Sequence, residues 1–386
     1  MIRSLTPLRA LPLALSLLSS PVLAGEASDI ALRAADDLRA SVTALDAARS
    51  AKDRVTALTE TIRAYETGLG ALRDGLRRAA IREAEINDIY DAKRDEVGRL
   101  LAVMSSIQQS DGPLLLLHPS GALGTARSGM VLSAVTPALQ TEAQKMRADL
   151  QEISDLRALQ QNAAKTLSAG LSSVQEARTA LSQAVADRTD LPKRYLEEPE
   201  DLRALVENAD TLESFATDLS ELDTDIGAPM EDFEGAKGTL RLPVLGTVLR
   251  RAGEADAAGI RRPGLVIATA PAALVTAPWP ATIRYRGPLL DYENVMIVEP
   301  AEGYLLVLAG LGTVYGDTGD VVPAGAPLGL MGGAEPSAEE FGAGFVAAAA
   351  EGGSAGRTET LYLELRVGKE PVDPAEWFAE TKDNQG

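Results

Sequence analysis

From Asp29 to Gln109 the chain holds no proline and only scattered glycine. Stepping alternately by three and four from Val55 reaches Leu58, Ile62, Tyr65, Leu69, Leu72, Leu76, Ala79, Glu83, Ile86, Tyr90, Lys93, Val97, Leu100, Met104 and Ile107. Only Glu83 and Lys93 interrupt the apolar run. A repeat of about 3.5 residues held this long predicts a left-handed coiled coil. The pattern stops at Asp111-Gly112-Pro113 and resumes after Pro119-Ser120-Gly121. A second stripe reads Leu139, Ala143, Met146, Leu150, Ile153, Arg157, Gln160, Ala164, Leu167, Leu171, Val174, Arg178, Leu181 and Val185, broken by Arg157, Gln160 and Arg178. Two stripes joined by a Pro/Gly turn predict an antiparallel hairpin over residues 25–192. At 1.5 Å per residue its longer arm would reach roughly 120 Å, the shape of a spacer or docking rod. The alternative, separate helices that dimerise in trans, is disfavoured by the shortness of the turn.

Leu191-Pro192 ends the second helix. Residues 193–237 then form a strongly acidic linker: between Glu197 and Glu234, Arg203 is the lone basic residue. Leu202, Leu205, Val206, Ala209, Leu212, Phe215, Leu219 and Leu222 keep helical spacing there. An acidic amphipathic helix needs an apolar surface to lie on, whereas a solvated linker does not. After Gly238 the texture changes to short β-prone runs separated by Gly, Pro and Asp. They are Val244–Leu249, Gly264–Ala268, Leu274–Ala277, Ala281–Tyr285, Asn294–Glu299, Tyr304–Leu308 and Thr360–Val367. Such spacing predicts a compact antiparallel β domain over 238–386. The Ala/Gly/Glu-rich stretch 332–358 reads as a long loop.

Length and charge sharpen the picture. A chain of 386 residues accommodates two domains. Its net charge of -19 disfavours nucleic acid and acidic lipid as partners. The absence of cysteine excludes disulfides and thiol chemistry. At the N-terminus Arg3 and Arg9 flank the short apolar stretch Ala10–Leu18, and Val22-Leu23-Ala24 fits a small-x-small cleavage pattern. Residues 1–24 therefore read as a signal peptide cut after Ala24, too short in its apolar part to span a bilayer. An uncleaved anchor is the alternative.

Several phrases in the β-prone region resemble the LytM-type, lysostaphin-like metallopeptidases. They are Gly264-Leu-Val-Ile-Ala with Val275-Thr-Ala-Pro, then Gly303-Tyr-Leu-Leu-Val-Leu-Ala-Gly-Leu, Val322-Pro-Ala-Gly-Ala-Pro-Leu-Gly, Leu361-Tyr-Leu-Glu-Leu-Arg and Pro371-Val-Asp-Pro. Each phrase is generic alone; their order and spacing match the family. The resemblance implies zinc ligands from His-x-x-x-Asp and from the second His of His-x-His, with a further His after the third phrase. Those positions here are Arg262 and Val266, Thr360 and Tyr362, and Gly310. Valine and glycine have no donor, and arginine carries a permanent positive charge. The single histidine, His118, falls in the predicted hairpin turn and reads as a solvent-facing turn residue. No route to metal-activated water remains, so no metal or cofactor is expected.

A coiled coil followed by such a degenerate domain resembles the EnvC-type murein hydrolase activators. The resemblance implies an α+β multidomain protein of the periplasm: a coiled-coil hairpin, an acidic helical linker and a degenerate LytM-type domain. It implies that the chain is not an enzyme. It would bind N-acetylmuramoyl-L-alanine amidases through the old substrate groove and switch them on in septal peptidoglycan splitting. The coiled coil would dock on the FtsE–FtsX complex, and a helix between the two parts would occlude the groove until released. Arg262, Tyr292, Tyr362 and Arg366 then line a protein-binding groove, since Tyr and Arg combine apolar area with directed polar contacts. The bland readings are strand packing for Tyr362 and a surface salt bridge for Arg366, with Glu364 as its partner. Trp279, between two prolines, reads as packing. Three other functions compete: an active endopeptidase, a structural rod of the efflux-adaptor type, and a peptidoglycan-binding or structural envelope protein without an amidase partner.

Overall fold

The computed structural model describes residues 25–108, 121–188, 191–193, 199–221, 232–333 and 358–379. Residues 1–24, expected above to be a signal peptide, His118 and the Ala-rich stretch before Thr358 lie outside the described residues. Among the described residues, five α-helices come first: α1 (Gly25–Ala47), α2 (Ala51–Gln108), α3 (Gly121–Ala186), α4 (Pro199–Asn208) and α5 (Leu212–Glu221). The proline-free run is thus two helices. Ser50 starts α2 through a capping box: the Asp53 amide donates to the Ser50 hydroxyl at 3.0 Å, and the Ser50 amide donates to the Asp53 carboxylate at 3.3 Å. Among the described residues no helix is long and apolar enough to cross a membrane.

Two compact units emerge, and the long helices contribute to both. In the unit formed by residues 74–166, polar interruptions of the two stripes meet one another. Arg157 Nε donates to Glu83 Oε1 at 2.7 Å, and Gln160 Nε2 donates to Glu83 Oε2 at 3.1 Å. Arg82 pairs with Glu152 at 2.7 Å beside them. Mutually satisfied polar residues in an apolar seam select one helix register. Tyr90 and Leu150, both stripe positions, are nevertheless 40% and 50% exposed. A pair of helices encloses its seam on fewer sides than a larger bundle does.

The other unit joins the start of α2 and the end of α3 to the β-rich part. Glu66 and Arg178 form a buried ion pair at 2.8 Å. A Cβ on Gly170 would approach the Leu69 side chain to 2.9 Å. Residue numbers rise on one helix as they fall on the other, so the two run antiparallel here. Glu66 also accepts the Leu274 amide at 3.0 Å, and Arg63 donates to the Thr276 hydroxyl.

Among the described residues the β-rich part is a ten-stranded antiparallel sheet. Its strands are β1 (Gly246–Arg250), β2 (Leu265–Thr269), β3 (Leu274–Thr276), β4 (Ala281–Pro288), β5 (Asn294–Ala301), β6 (Tyr304–Val314), β7 (Val321–Val322), β8 (Pro327–Met331), β9 (Glu359–Val367) and β10 (Glu370–Val372). The main order is β1-β2-β9-β6-β5-β4-β7, with β10 on β9 and β8 bridging β3 and β6. All seven expected runs are strands. The unexpected β7, β8 and β10 are short and lie among prolines and glycines, which mask their β pattern.

Period-2 alternation divides the central strands between two cores. One face sends Leu265, Ile267, Ile283, Met296, Val298, Leu306, Leu308, Leu361, Leu363 and Leu365 into a core closed by Phe233, Trp377 and Phe378. Phe233 and Trp377 stack there at 4.6 Å. The other face sends Tyr285, Val295, Ile297, Leu305, Val307, Ala309 and Tyr362 toward α4 and α5. Both faces are apolar because both are covered.

Candidate functional site

The second sheet face is the candidate site. Val266 on β2, Tyr362 on β9 and Ala309 on β6 are in register across three adjacent strands. Gly264 permits the close approach at one end of this row. A Cβ there would lie 2.5 Å from the Leu363 carbonyl oxygen and 2.7 Å from the Tyr362 ring. Gly310 does the same at the other end: its φ is +97°, and a Cβ would meet the Thr360 carbonyl at 2.6 Å. The Gly310 amide donates to the Tyr292 carbonyl at 3.1 Å, which brings Tyr292 alongside.

A chain of polar contacts runs along β9. The Tyr362 hydroxyl donates to Glu364 Oε2 at 2.6 Å. Arg366 Nη1 donates to Glu364 Oε1 at 2.5 Å. Arg366 Nη2 donates to the Thr217 hydroxyl of α5 at 2.6 Å and also to the Lys369 carbonyl. Arg366 is 1% exposed and Glu364 2%, so this ion pair is desolvated and depends on its hydrogen bonds. Arg366 Nε remains buried without a partner among the described residues. Burial first, and then the negative charge of Glu364, push the Tyr362 hydroxyl far above the ordinary tyrosine range. It is a neutral donor, not a base.

Helices α4 and α5 cover this face. Thr211 caps α5: the Ser214 amide donates to its hydroxyl at 3.0 Å, and the Thr211 amide returns a bond to the Ser214 hydroxyl at 3.1 Å. Leu212, Phe215, Ala216 and Leu219 then fall on one side of α5 and are buried against the sheet, with Ala209 from the short link between α4 and α5. Phe215 meets Tyr285 edge-to-face at 4.7 Å. Leu202, Leu205 and Val206 of α4, together with Val266 and Tyr292, pack on the margin of the same cluster. The spacing of apolar residues in the acidic linker thus has an apolar surface to match it. Leu222 lies outside the described residues.

The positions selected from sequence are distributed unevenly. Tyr362, Arg366 and Tyr292 gather on the covered face. Val266 joins them. Thr360 is exposed at the start of β9, and Arg262 is exposed in the connection between β1 and β2. Thr217 and Phe215, which hold the cover, were not singled out as site residues. The signal for them was the helical spacing of the linker, which gives a face without naming what it touches.

A catalytic zinc site takes about three nitrogen, oxygen or sulfur donors from the protein. The row does not fit one. Val266 and Gly310 carry no donor, and the Tyr362 hydroxyl is committed to Glu364. Among the described residues no group of three or more His, Cys, Asp or Glu side chains is placed to hold a metal ion.

No protein-family model matches the chain. An uncharacterized protein of Neisseria meningitidis serogroup B is 27% identical over 169 residues, 42% of this chain and 25% of that protein. The chain therefore spans only a quarter of that relative's length. Among solved structures it is similar to a Pseudomonas aeruginosa protein described as a peptidase M23, with TM-score 0.32, 18% identity and coverage of 47% of this chain and 64% of the other. The catalytic domain of lysostaphin from Staphylococcus simulans is similar at TM-score 0.26 and 17% identity, over 33% of this chain and 89% of that one.

Proposed function

We propose that this chain is an exported, non-catalytic activator of periplasmic N-acetylmuramoyl-L-alanine amidases, held closed by its own acidic helices. Its β-rich part is a degenerate LytM-type domain that grips a protein where active relatives hold zinc. Residues 25–192 serve as an antiparallel coiled-coil hairpin that docks on the FtsE–FtsX complex at the division site. Helices α4 and α5 are the restraint. One observation carries this reading: α5 sits on the face that bears Tyr362 and Arg366, and its Thr217 accepts directly from Arg366. The chemistry of the row supports it, because a hydrolase needs an activated water and Val266, Gly310 and a committed tyrosine cannot generate one. Tyr362 and Arg366 are hot-spot residue types, and they become available only when the cover leaves.

The test is dye release from labelled murein sacculi by a purified amidase, with the full chain and with a variant lacking residues 199–221. The variant is expected to activate strongly and the full chain weakly, with neither releasing dye on its own. Equal activation by both refutes the restraint. Stoichiometric zinc in the purified chain, with cross-link cleavage in the absence of amidase, refutes the non-catalytic reading.

A further inference from the structure

Between β1 and β2 the chain makes a small hairpin, residues 253–262. The Gly253 amide donates to the Arg262 carbonyl at 2.7 Å, and Ala255 and Arg261 form an antiparallel bridge. Asp256 closes its tip. Its Oδ1 accepts from the Ala258 and Ile260 amides, both at 2.9 Å, and its Oδ2 faces Arg250 at 3.8 Å. The Arg251 amide donates to Glu254 at 2.9 Å, and Arg261 Nη1 to the Gly253 carbonyl at 2.6 Å. The loop is therefore pre-shaped although it projects into solvent.

What it presents differs from the rest of the chain. Between Arg241 and Arg262 there are five arginines and two acids, Glu254 and Asp256. Between Pro263 and Gly333 the balance reverses, with six acids against Arg284 and Arg286, in a chain of net charge -19. Large apolar side chains stand exposed within the arginine cluster: Leu245 at 47%, Leu249 at 55% and Ile260 at 53%. Arginine mixed with open aliphatic surface is the composition of a protein-recognition patch.

We propose that this hairpin is a second contact surface for the amidase, and that it takes a carboxylate-rich segment of that partner around an apolar side chain seated on Ile260. The inference rests on the activator reading and adds the chemistry of the partner to it. A protein segment fits better than an anionic bilayer. A bilayer meets the whole acidic chain, whereas a narrow segment feels the arginines within a screening length of about 8 Å. The hairpin is exposed while α4 and α5 still cover Tyr362 and Arg366, so it engages the partner before the sheet face opens. Complementary charge of this kind acts mainly on the encounter rate.

The experiment measures amidase binding by the full chain at low and at physiological ionic strength. The Arg261→Glu/Arg262→Glu double variant is compared with Arg77→Glu/Arg78→Glu, an exposed pair on α2 with the same charge change. Hairpin reversal is expected to weaken binding at least tenfold at low salt and to flatten its salt dependence, with the α2 reversal close to the unsubstituted protein. Ile260→Asp should weaken binding at both salt concentrations. Equal losses in both reversals would reduce the effect to overall charge and overturn the inference. Unchanged binding in the hairpin variants would overturn it and leave the activator reading intact. Hairpin-dependent binding to phosphatidylglycerol vesicles with amidase binding untouched would overturn it in favour of a membrane. Failure of the unsubstituted chain and of the chain without residues 199–221 to bind any amidase would remove the activator reading and this inference together.

Discussion

Replacing Phe215 by alanine tests the restraint most directly. Phe215 is fully buried between α5 and the sheet and packs edge-to-face on Tyr285. Truncating a buried phenylalanine costs about 3–5 kcal/mol, because the lost transfer energy is joined by a cavity that collapses only in part. The contacts removed lie between α5 and the sheet, so the cost falls on the closed arrangement and not on the sheet itself. At about 1.4 kcal/mol per tenfold change, the lower bound of roughly 3 kcal/mol raises the open population about a hundredfold. Hydrogen exchange reads this locally. Amides of residues 216–221 should exchange about two orders of magnitude faster, while the central strands β6 and β9 keep their protection. Amidase activation should rise in parallel. If α5 and the sheet lose protection equally, the helix is an inseparable part of the core and the restraint is refuted. If α5 exchange does not change, Phe215 does not hold it.

Four further outcomes follow from the same contacts. Thr217→Val keeps the side-chain shape but removes an acceptor from a charged donor, worth about 1.5–3 kcal/mol; α5 exchange should accelerate by roughly tenfold or more, with the melting of the sheet unchanged. Arg178→Ala breaks the buried Glu66–Arg178 ion pair and should destabilise this unit by about 3–5 kcal/mol in urea denaturation. Tyr362, and also Tyr285 and Tyr315, have hydroxyl pKa values raised by burial. Folding therefore favours the neutral phenol, so their stabilising contribution is complete below about pH 10 and is lost as pH rises above it; absorbance at 295 nm should show these tyrosines ionising at higher pH in the folded than in the unfolded chain. Glu83→Leu with Arg157→Leu and Gln160→Leu should leave helix content unchanged while loosening register, seen as a second cross-linking pattern between cysteine pairs placed on α2 and α3.

The alternation of apolar residues was enough to identify the long helices, the acidic amphipathic segment and seven strands. These are local patterns, set by side-chain periodicity along a single element. That Val266 and Gly310 carry no side-chain metal donor and that Arg262 carries a permanent positive charge was equally legible, because donor chemistry is a property of residue type. Glu83, Arg157 and Gln160 stood in the sequence as breaks in two stripes, yet their mutual pairing depends on how the helices align. That α5 covers Tyr362 and Arg366 is a tertiary fact of the same sort. Helical spacing defines an apolar face, but which of the two sheet faces receives it depends on long-range packing of residues about 150 positions apart, such as Thr217 and Arg366. The hairpin at 253–262 is tertiary as well. Its arginines are visible in the sequence, but their standing exposed on a pre-shaped loop follows from the backbone bonds that Asp256 collects. Residue type and period are written along the chain, whereas coverage and exposure depend on what the fold brings opposite each side chain.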